Sequence, residues 1–368
     1  MRLKKKKKVK SFVSIFLAVV CTLTATSCFL IRLPSVCANR GDDVGLLAAG
    51  FILPDGASEQ KHQTSPAKKD TSSSFFSINN EDPDSPTVLE QISSSEEPPA
   101  PEPSSDEKTY KIIESQFGPA GINYENFYVK KTIDVPLNIG EELSKRPDVT
   151  IKKDGSPQVL IVHTHTSEAY MDKDQGFYYE SFYPRSTDYS HNVTRVGNAI
   201  AEKLKSSNIG VIHELTFHDN PSYNGSYSRS AETILKNLEE HPSIQVVLDI
   251  HRDAIGNNES GKVKPTFVAN GKKAAQIMIM SGCDIDGSLD FPDWEYNLRL
   301  ALRLQQAAET LYPGMTRPMC FDDVKYNMNL THGSLLIEVG TDANTLDEAV
   351  YTGSLLGDAL TKVLNELT

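Results

Sequence analysis

Apolar positions crowd the start of the chain, thin out between residues 39 and 108, and return near Tyr110 with two distinct periods. Residues 11–31 form one nearly unbroken apolar run, directly behind a basic cluster made of Arg2, Lys4 through Lys8 and Lys10. Between residues 39 and 108 Ser, Pro, Asp and Glu dominate, as in Thr71-Ser-Ser-Ser74. Such a stretch cannot bury enough apolar surface to offset its chain entropy. Further on, the apolar run at residues 158–162 predicts a strand, and Val196, Ile200 and Leu204 have the spacing of a helix over residues 193–204. The alternation continues: a strand over 209–212, a helix over 231–238, strands over 245–250 and 276–280, a helix over 295–311 and a strand over 335–339. Thr345-x-x-Glu348 is a capping box that opens a closing helix.

Strands alternating with helices predict an α/β domain whose mostly parallel or mixed sheet is flanked by helices. The pattern is expected to divide the chain into a cytoplasmic basic tail (1–10), a transmembrane anchor (11–33), a disordered acidic Ser/Pro-rich tether (34–108), a pre-domain segment (109–157) and the α/β domain (158–368). A helix of roughly 20 apolar residues spans a bilayer, and lysines before it keep that end in the cytoplasm. Everything after Leu33 is therefore expected outside. A cleaved signal peptide ending near Val36-Cys37-Ala38 is the alternative, and a lipoprotein signal at Cys28 a weaker one because Ala25 replaces the expected large aliphatic residue. Segment 109–157 reads either as a docking segment or as an extra layer on the sheet.

Charge and cysteine content narrow the field. A formal charge of -12 excludes nucleic acid as a partner, since phosphate neutralisation needs a basic surface. Of five cysteines only Cys283 and Cys320 lie in the folded part, which allows one bridge without implying it. The run from Gly256 to Lys262 imitates a phosphate-binding loop, but Val263 stands where Ser or Thr is required, so a hairpin turn is expected. No Gly-x-Ser-x-Gly elbow offers a serine nucleophile.

Three strands run into polar residues that are costly beside a core. The first ends in His163-Thr-His165-Thr-Ser-Glu168, another in Asp249-Ile-His251-Arg-Asp253, and the last carries Glu338. In α/β sheets active groups gather at strand carboxyl ends, so these are expected to converge. His165, Glu168 and His251 make a candidate zinc set with one position left open, and Glu338 a general base and then proton donor. His163 is the rival of His165, on the same side by strand alternation, or else an orienting partner. His191 is the reserve ligand if Glu168 only orients His165. Arg252 and Asp253 would bind a substrate carboxylate or brace their loop, and Arg229 with Tyr227 would line a groove. His213, His218, His241 and His332 read as surface or loop residues.

Val159-Leu-Ile-Val-His-Thr-His-Thr-Ser-Glu-Ala-Tyr170, Asn192-Val-Thr-Arg-Val-Gly197, Asp249-Ile-His-Arg-Asp253 and Leu336-Ile-Glu-Val-Gly-Thr-Asp-Ala-Asn-Thr345 together resemble the stage II sporulation protein P family. The resemblance extends to the layout of basic start, anchor, acidic tether and catalytic domain. It implies a peptidoglycan hydrolase of endospore-forming bacteria with N-acetylmuramoyl-L-alanine amidase activity, in some members endopeptidase activity as well. The implied role is thinning septal wall during engulfment, alongside stage II sporulation proteins D and M. A more distant likeness to zinc amidases and zinc exopeptidases matches His251 and Glu338, whereas the Gly-His-Gly-Gly turn of those amidases is replaced by His163-Thr-His165-Thr. Two rivals to the amidase remain: a zinc carboxypeptidase or endopeptidase acting within the stem peptide, and a metal-free wall-binding module.

Overall fold

The computed structural model describes residues 106–368; the basic tail, the anchor and nearly all of the tether lie outside the described residues. In chain order the first half forms β1 (Thr109–Ser115), β2 (Ile122–Tyr124), β3 (Phe127–Lys131), α1 (Ile139–Ser144), β4 (Pro157–Val162), β5 (Phe177–Tyr179), α2 (Thr194–Ser206), β6 (Gly210–His213) and α3 (Ser226–Glu240). The second half adds β7 (Val246–Asp253), β8 (Gly256–Asn257), β9 (Gly261–Ala269), β10 (Lys272–Ala275), β11 (Ile277–Gly282), α4 (Trp294–Leu311), β12 (Met319–Asp322), β13 (Ser334–Thr341) and α5 (Leu346–Asn365).

An eight-stranded sheet runs β2-β3-β12-β11-β13-β7-β4-β6. Neighbours from β13 to β6 are parallel, whereas β11 lies antiparallel to β13 and β2 to β3, so the sheet is mixed. Residues of β7, β11 and β13 are buried throughout. That follows from helices on both faces, and it explains why these strands read as continuous apolar runs rather than alternating ones. On one face Ile161, Ile250, Ile279 and Ile337 pack with Val196, Ile200 and Leu204 of α2, Leu298 of α4 and Leu356 of α5. On the other, Leu160, Val162 and Val247 meet Ile234 of α3, while Met278, Met280 and Leu336 meet Phe291 and Met328.

The smaller sheet has the order β10-β9-β1-β5, with β8 also paired to β9. The antiparallel β8–β9 pair makes Gly256 to Lys262 a hairpin, as its sequence requires. Segment 109–157 is woven through both sheets: β1 joins the small one, β2 and β3 form an edge of the large one, and α1 is tied to α4 by Arg299 Nε to Glu142 Oε2 at 2.9 Å. Strand β12 was not legible, because Met319-Cys320-Phe321-Asp322 is too short to show a period. Cys283 and Cys320 are both free and buried, so the bridge that the sequence allowed is absent.

Candidate active site

Register does much of the assembly. Glu338 of β13 pairs with His251 of β7 on one side and Met278 of β11 on the other, so the three side chains project from the same face, the one covered by α3. Asp249, two residues before His251, shares that face, and its Oδ1 lies 2.9 Å from His251 Nε2. Oδ1 also accepts from Thr164 N (2.8 Å) and Oδ2 from Thr164 Oγ1 (2.6 Å), which pins the turn after β4 to β7.

That turn spans residues 163–168 and closes with Glu168 N donating to His165 O at 3.0 Å. It carries Glu168 Oε2 to 3.6 Å from His251 Nδ1, with the His165 ring edge-on to that of His251 at 5.2 Å. His165, Glu168, His251 and Glu338 are all buried, as expected of a converging set. His165 stacks on Tyr223 at 4.4 Å, and the Tyr223 hydroxyl lies 3.0 Å from His165 Nε2. Tyr227 completes the wall, edge-on to His165, parallel to His251 and tilted against Tyr326.

Electrostatics in this cluster are set by burial and by three carboxylates. Burial disfavours a charged His251, but Asp249, then Glu168 and Glu338, outweigh it and push the imidazole up to about 10. Burial alone would raise Asp249, yet His251 and Thr164 hold it down at about 2. Burial, then the neighbouring Asp253, lifts Glu338 well above the carboxylate range. Both Glu338 oxygens are buried and make no hydrogen bond among the described residues. His165 is pushed well below its usual value by burial and by His251.

Other candidates sit elsewhere. Strand β4 ends at Val162, so alternation does not extend to His163 and His165; His163 instead bonds Ile250 O through Nδ1 (2.7 Å) and His213 through Nε2 (2.8 Å), beside Gly197 of α2. His191 is exposed and paired with Asp188 at 3.2 Å. Arg252 is fully buried: its backbone N donates to Glu168 Oε2 (3.0 Å), and its guanidinium to Ala169 O and Pro184 O, so it braces the turn and the loop after it. Asp253 is bound by buried Arg317 at 2.7 Å. Arg229 donates to the carbonyls of His218, Asn224 and Ser222, stapling the loop before α3. Of the histidines expected on the surface or in loops, His218 lies in the loop after β6 but is buried against His163 O, and His213 instead ends strand β6, half-buried.

The zinc implied by resemblance can be tested on these atoms. Two imidazoles and a carboxylate are the right donor chemistry. Three carboxylates converging on one buried imidazole call for a positive charge there, and a metal ion answers that call as a proton does. In the arrangement shown, Tyr223 sits at His165 Nε2 and Asp249 at His251 Nε2. Among the described residues, no group of three or more His, Cys, Asp or Glu is arranged to hold a metal ion. The donor types match zinc, but as placed here they do not come together as a metal site.

Sequence reasoning missed Tyr223, Tyr326 and Arg317, and gave Asp249 no role. Asp249 had a signal, as a carboxylate two residues before His251 in a buried strand. Tyr223 and Tyr227 had a weaker one, four residues apart at the opening of a helix.

The family model described as Stage II sporulation protein P matches residues 55–361. Stage II sporulation protein P of Bacillus subtilis (strain 168) is 26% identical over 216 residues, 56% of this chain and 50% of that protein. The chain thus matches about half the length of that curated relative. Solved structures with detectable likeness include the apo N-acetylmuramyl-L-alanine amidase Ami1 of Mycobacterium abscessus, at 15% identity and TM-score 0.34, covering 58% of this chain and 98% of that one. The CwlD amidase of Clostridioides difficile, solved in complex with the GerS lipoprotein, gives 12% identity and TM-score 0.35 over 57% of this chain and 98% of that one. Scores of that size transfer no property to this chain.

Proposed function

The chain belongs to the stage II sporulation protein P family, and on that premise we propose that it hydrolyses peptidoglycan as an N-acetylmuramoyl-L-alanine amidase, cutting the amide between the muramic lactyl group and L-alanine. The observation that carries the proposal is Glu338, a carboxyl group fully buried abreast of His251, with neither oxygen hydrogen-bonded among the described residues. Burying a carboxyl group with neither oxygen hydrogen-bonded is costly, and a carboxyl so placed has the character of a group kept available for a proton.

In this reading His165, Glu168 and His251 would hold zinc. When bound, the metal supplies Lewis acidity, polarising the scissile carbonyl and making water acidic near neutrality. The chain's own residues do the rest. Asp249 fixes the His251 ring, Arg252 fixes the Glu168 carboxylate, and Glu338 takes the proton of the attacking water and returns it to the leaving amine. Placement outside the cytoplasm on an N-terminal anchor, action at the sporulation septum, endopeptidase activity and cooperation with stage II sporulation proteins D and M belong to the same proposal.

Product analysis tests it. Purified sacculi digested by the full-length protein are expected to release peptides with a free L-alanine amino terminus, leaving unsubstituted lactyl groups on the glycan. Shortened peptides still attached to muramic acid would make the enzyme a peptidase, and unchanged sacculi would leave a wall-binding module.

A further inference from the structure

The Tyr227 hydroxyl is buried and has no hydrogen-bond partner among the described residues. Its ring is fixed from three sides: parallel to His251 at 6.5 Å, edge-on to His165 at 5.6 Å and tilted on Tyr326 at 5.2 Å. Its backbone is clasped as well, since Asn327 Nδ2 donates to Tyr227 O (2.9 Å) and to Ser230 Oγ (3.0 Å) one turn on. Phenylalanine would keep all three ring contacts and spare the cost of an unsatisfied buried hydroxyl. The oxygen therefore adds nothing to packing. It stands in a rigid frame among the groups assigned to the reaction.

Building on the proposed amide hydrolysis, we infer that Tyr227 is a further catalytic residue, whose hydroxyl donates a hydrogen bond to the scissile carbonyl oxygen as that oxygen gains negative charge. Water attacks the carbonyl carbon, the C=O π pair moves onto oxygen, and the water proton goes to Glu338. Collapse re-forms C=O and breaks C–N, and Glu338 delivers its proton to the departing nitrogen. Tyr227 keeps its own proton throughout, as a phenol does at neutral pH. A donor already held in place stabilises the developing oxyanion without reorganisation at the moment of reaction.

The test compares full-length wild type, Tyr227→Phe and Glu338→Gln on one purified muramoyl-peptide, with kcat, KM and Tm measured for each. The inference predicts that Tyr227→Phe lowers kcat by about 100- to 1,000-fold, leaves KM within about twofold, and leaves Tm unchanged or raised because an unsatisfied hydroxyl is gone. Near-wild-type kcat in Tyr227→Phe beside an inactive Glu338→Gln overturns the role of Tyr227 and leaves the reaction standing. A fall in Tm matching the fall in activity overturns it too, by making the hydroxyl a packing group. An inactive wild type overturns both the reaction and the inference.

Discussion

Single residues here do opposite things with the same chemistry. His251 is surrounded by carboxylates and driven toward the charged state, whereas His163 and His213 are driven away from it, to about 3 and about 4, by burial first. Their Nε2 atoms lie 2.8 Å apart, so one must donate and the other accept, and a second proton would set two N–H groups face to face. The sign follows. In the unfolded chain both histidines take up protons near pH 6.5, while in the fold they refuse them until about pH 3 to 4, so stability falls as pH drops through that window. Thermal unfolding at pH 7.5 and 4.5 checks this: wild type is expected to lose more Tm on acidification than His213→Gln, which removes one of the two proton acceptors. Parallel losses would contradict it. The sequence made His251 and Glu338 legible because a charge inside an apolar strand is conspicuous. It did not distinguish His163 from His165, because that depends on β4 ending at Val162, one residue before the turn begins.

At the scale of elements, legibility followed burial. Strands β4, β7, β11 and β13 were evident as apolar runs because helices cover both faces, and α5 was announced by its capping box. The structure shows both halves of that box, Glu348 N donating to Thr345 Oγ1 at 3.2 Å and Thr345 N to Glu348 Oε2 at 3.0 Å. This cap holds more than a helix. Leu346 N donates to Met171 O at 3.0 Å, tying the start of α5 to the chain that leaves the turn at residues 163–168. Gly340 lets the Asn344 side chain fold back onto the end of β13: its φ of +66° lies in the left-handed region, and a Cβ there would meet Asn344 Oδ1 at 2.6 Å. Thr345→Ala is expected to cost about 1 kcal/mol of stability by denaturant titration, with most of it restored in Thr345→Ser. Equal stabilities for the Ala and Ser variants would dismiss the cap. Short strands such as β5, β8 and β12 gave no pattern, since two to four residues cannot express a period.

For the molecule as a whole, the site arises from closure between distant parts of the chain. The turn after β4, the end of β7 and the middle of β13 are brought together by parallel pairing in the order β13-β7-β4, an order that no local pattern encodes. Tyr223, Tyr227 and Tyr326 come from loops and a helix start whose placement depends on that sheet, which is why only Tyr227 of the aromatic wall was legible in the sequence. Segment 109–157 was opaque for a related reason: its strands complete sheets built mostly from residues far downstream. In the proposed reaction Glu338 is the group that moves the proton. Glu338→Gln keeps the side chain's size and removes its acidity, so in the full-length protein it is predicted to retain the zinc content of wild type by elemental analysis while losing hydrolysis of sacculi. Sustained hydrolysis by Glu338→Gln at a rate near that of wild type would contradict it.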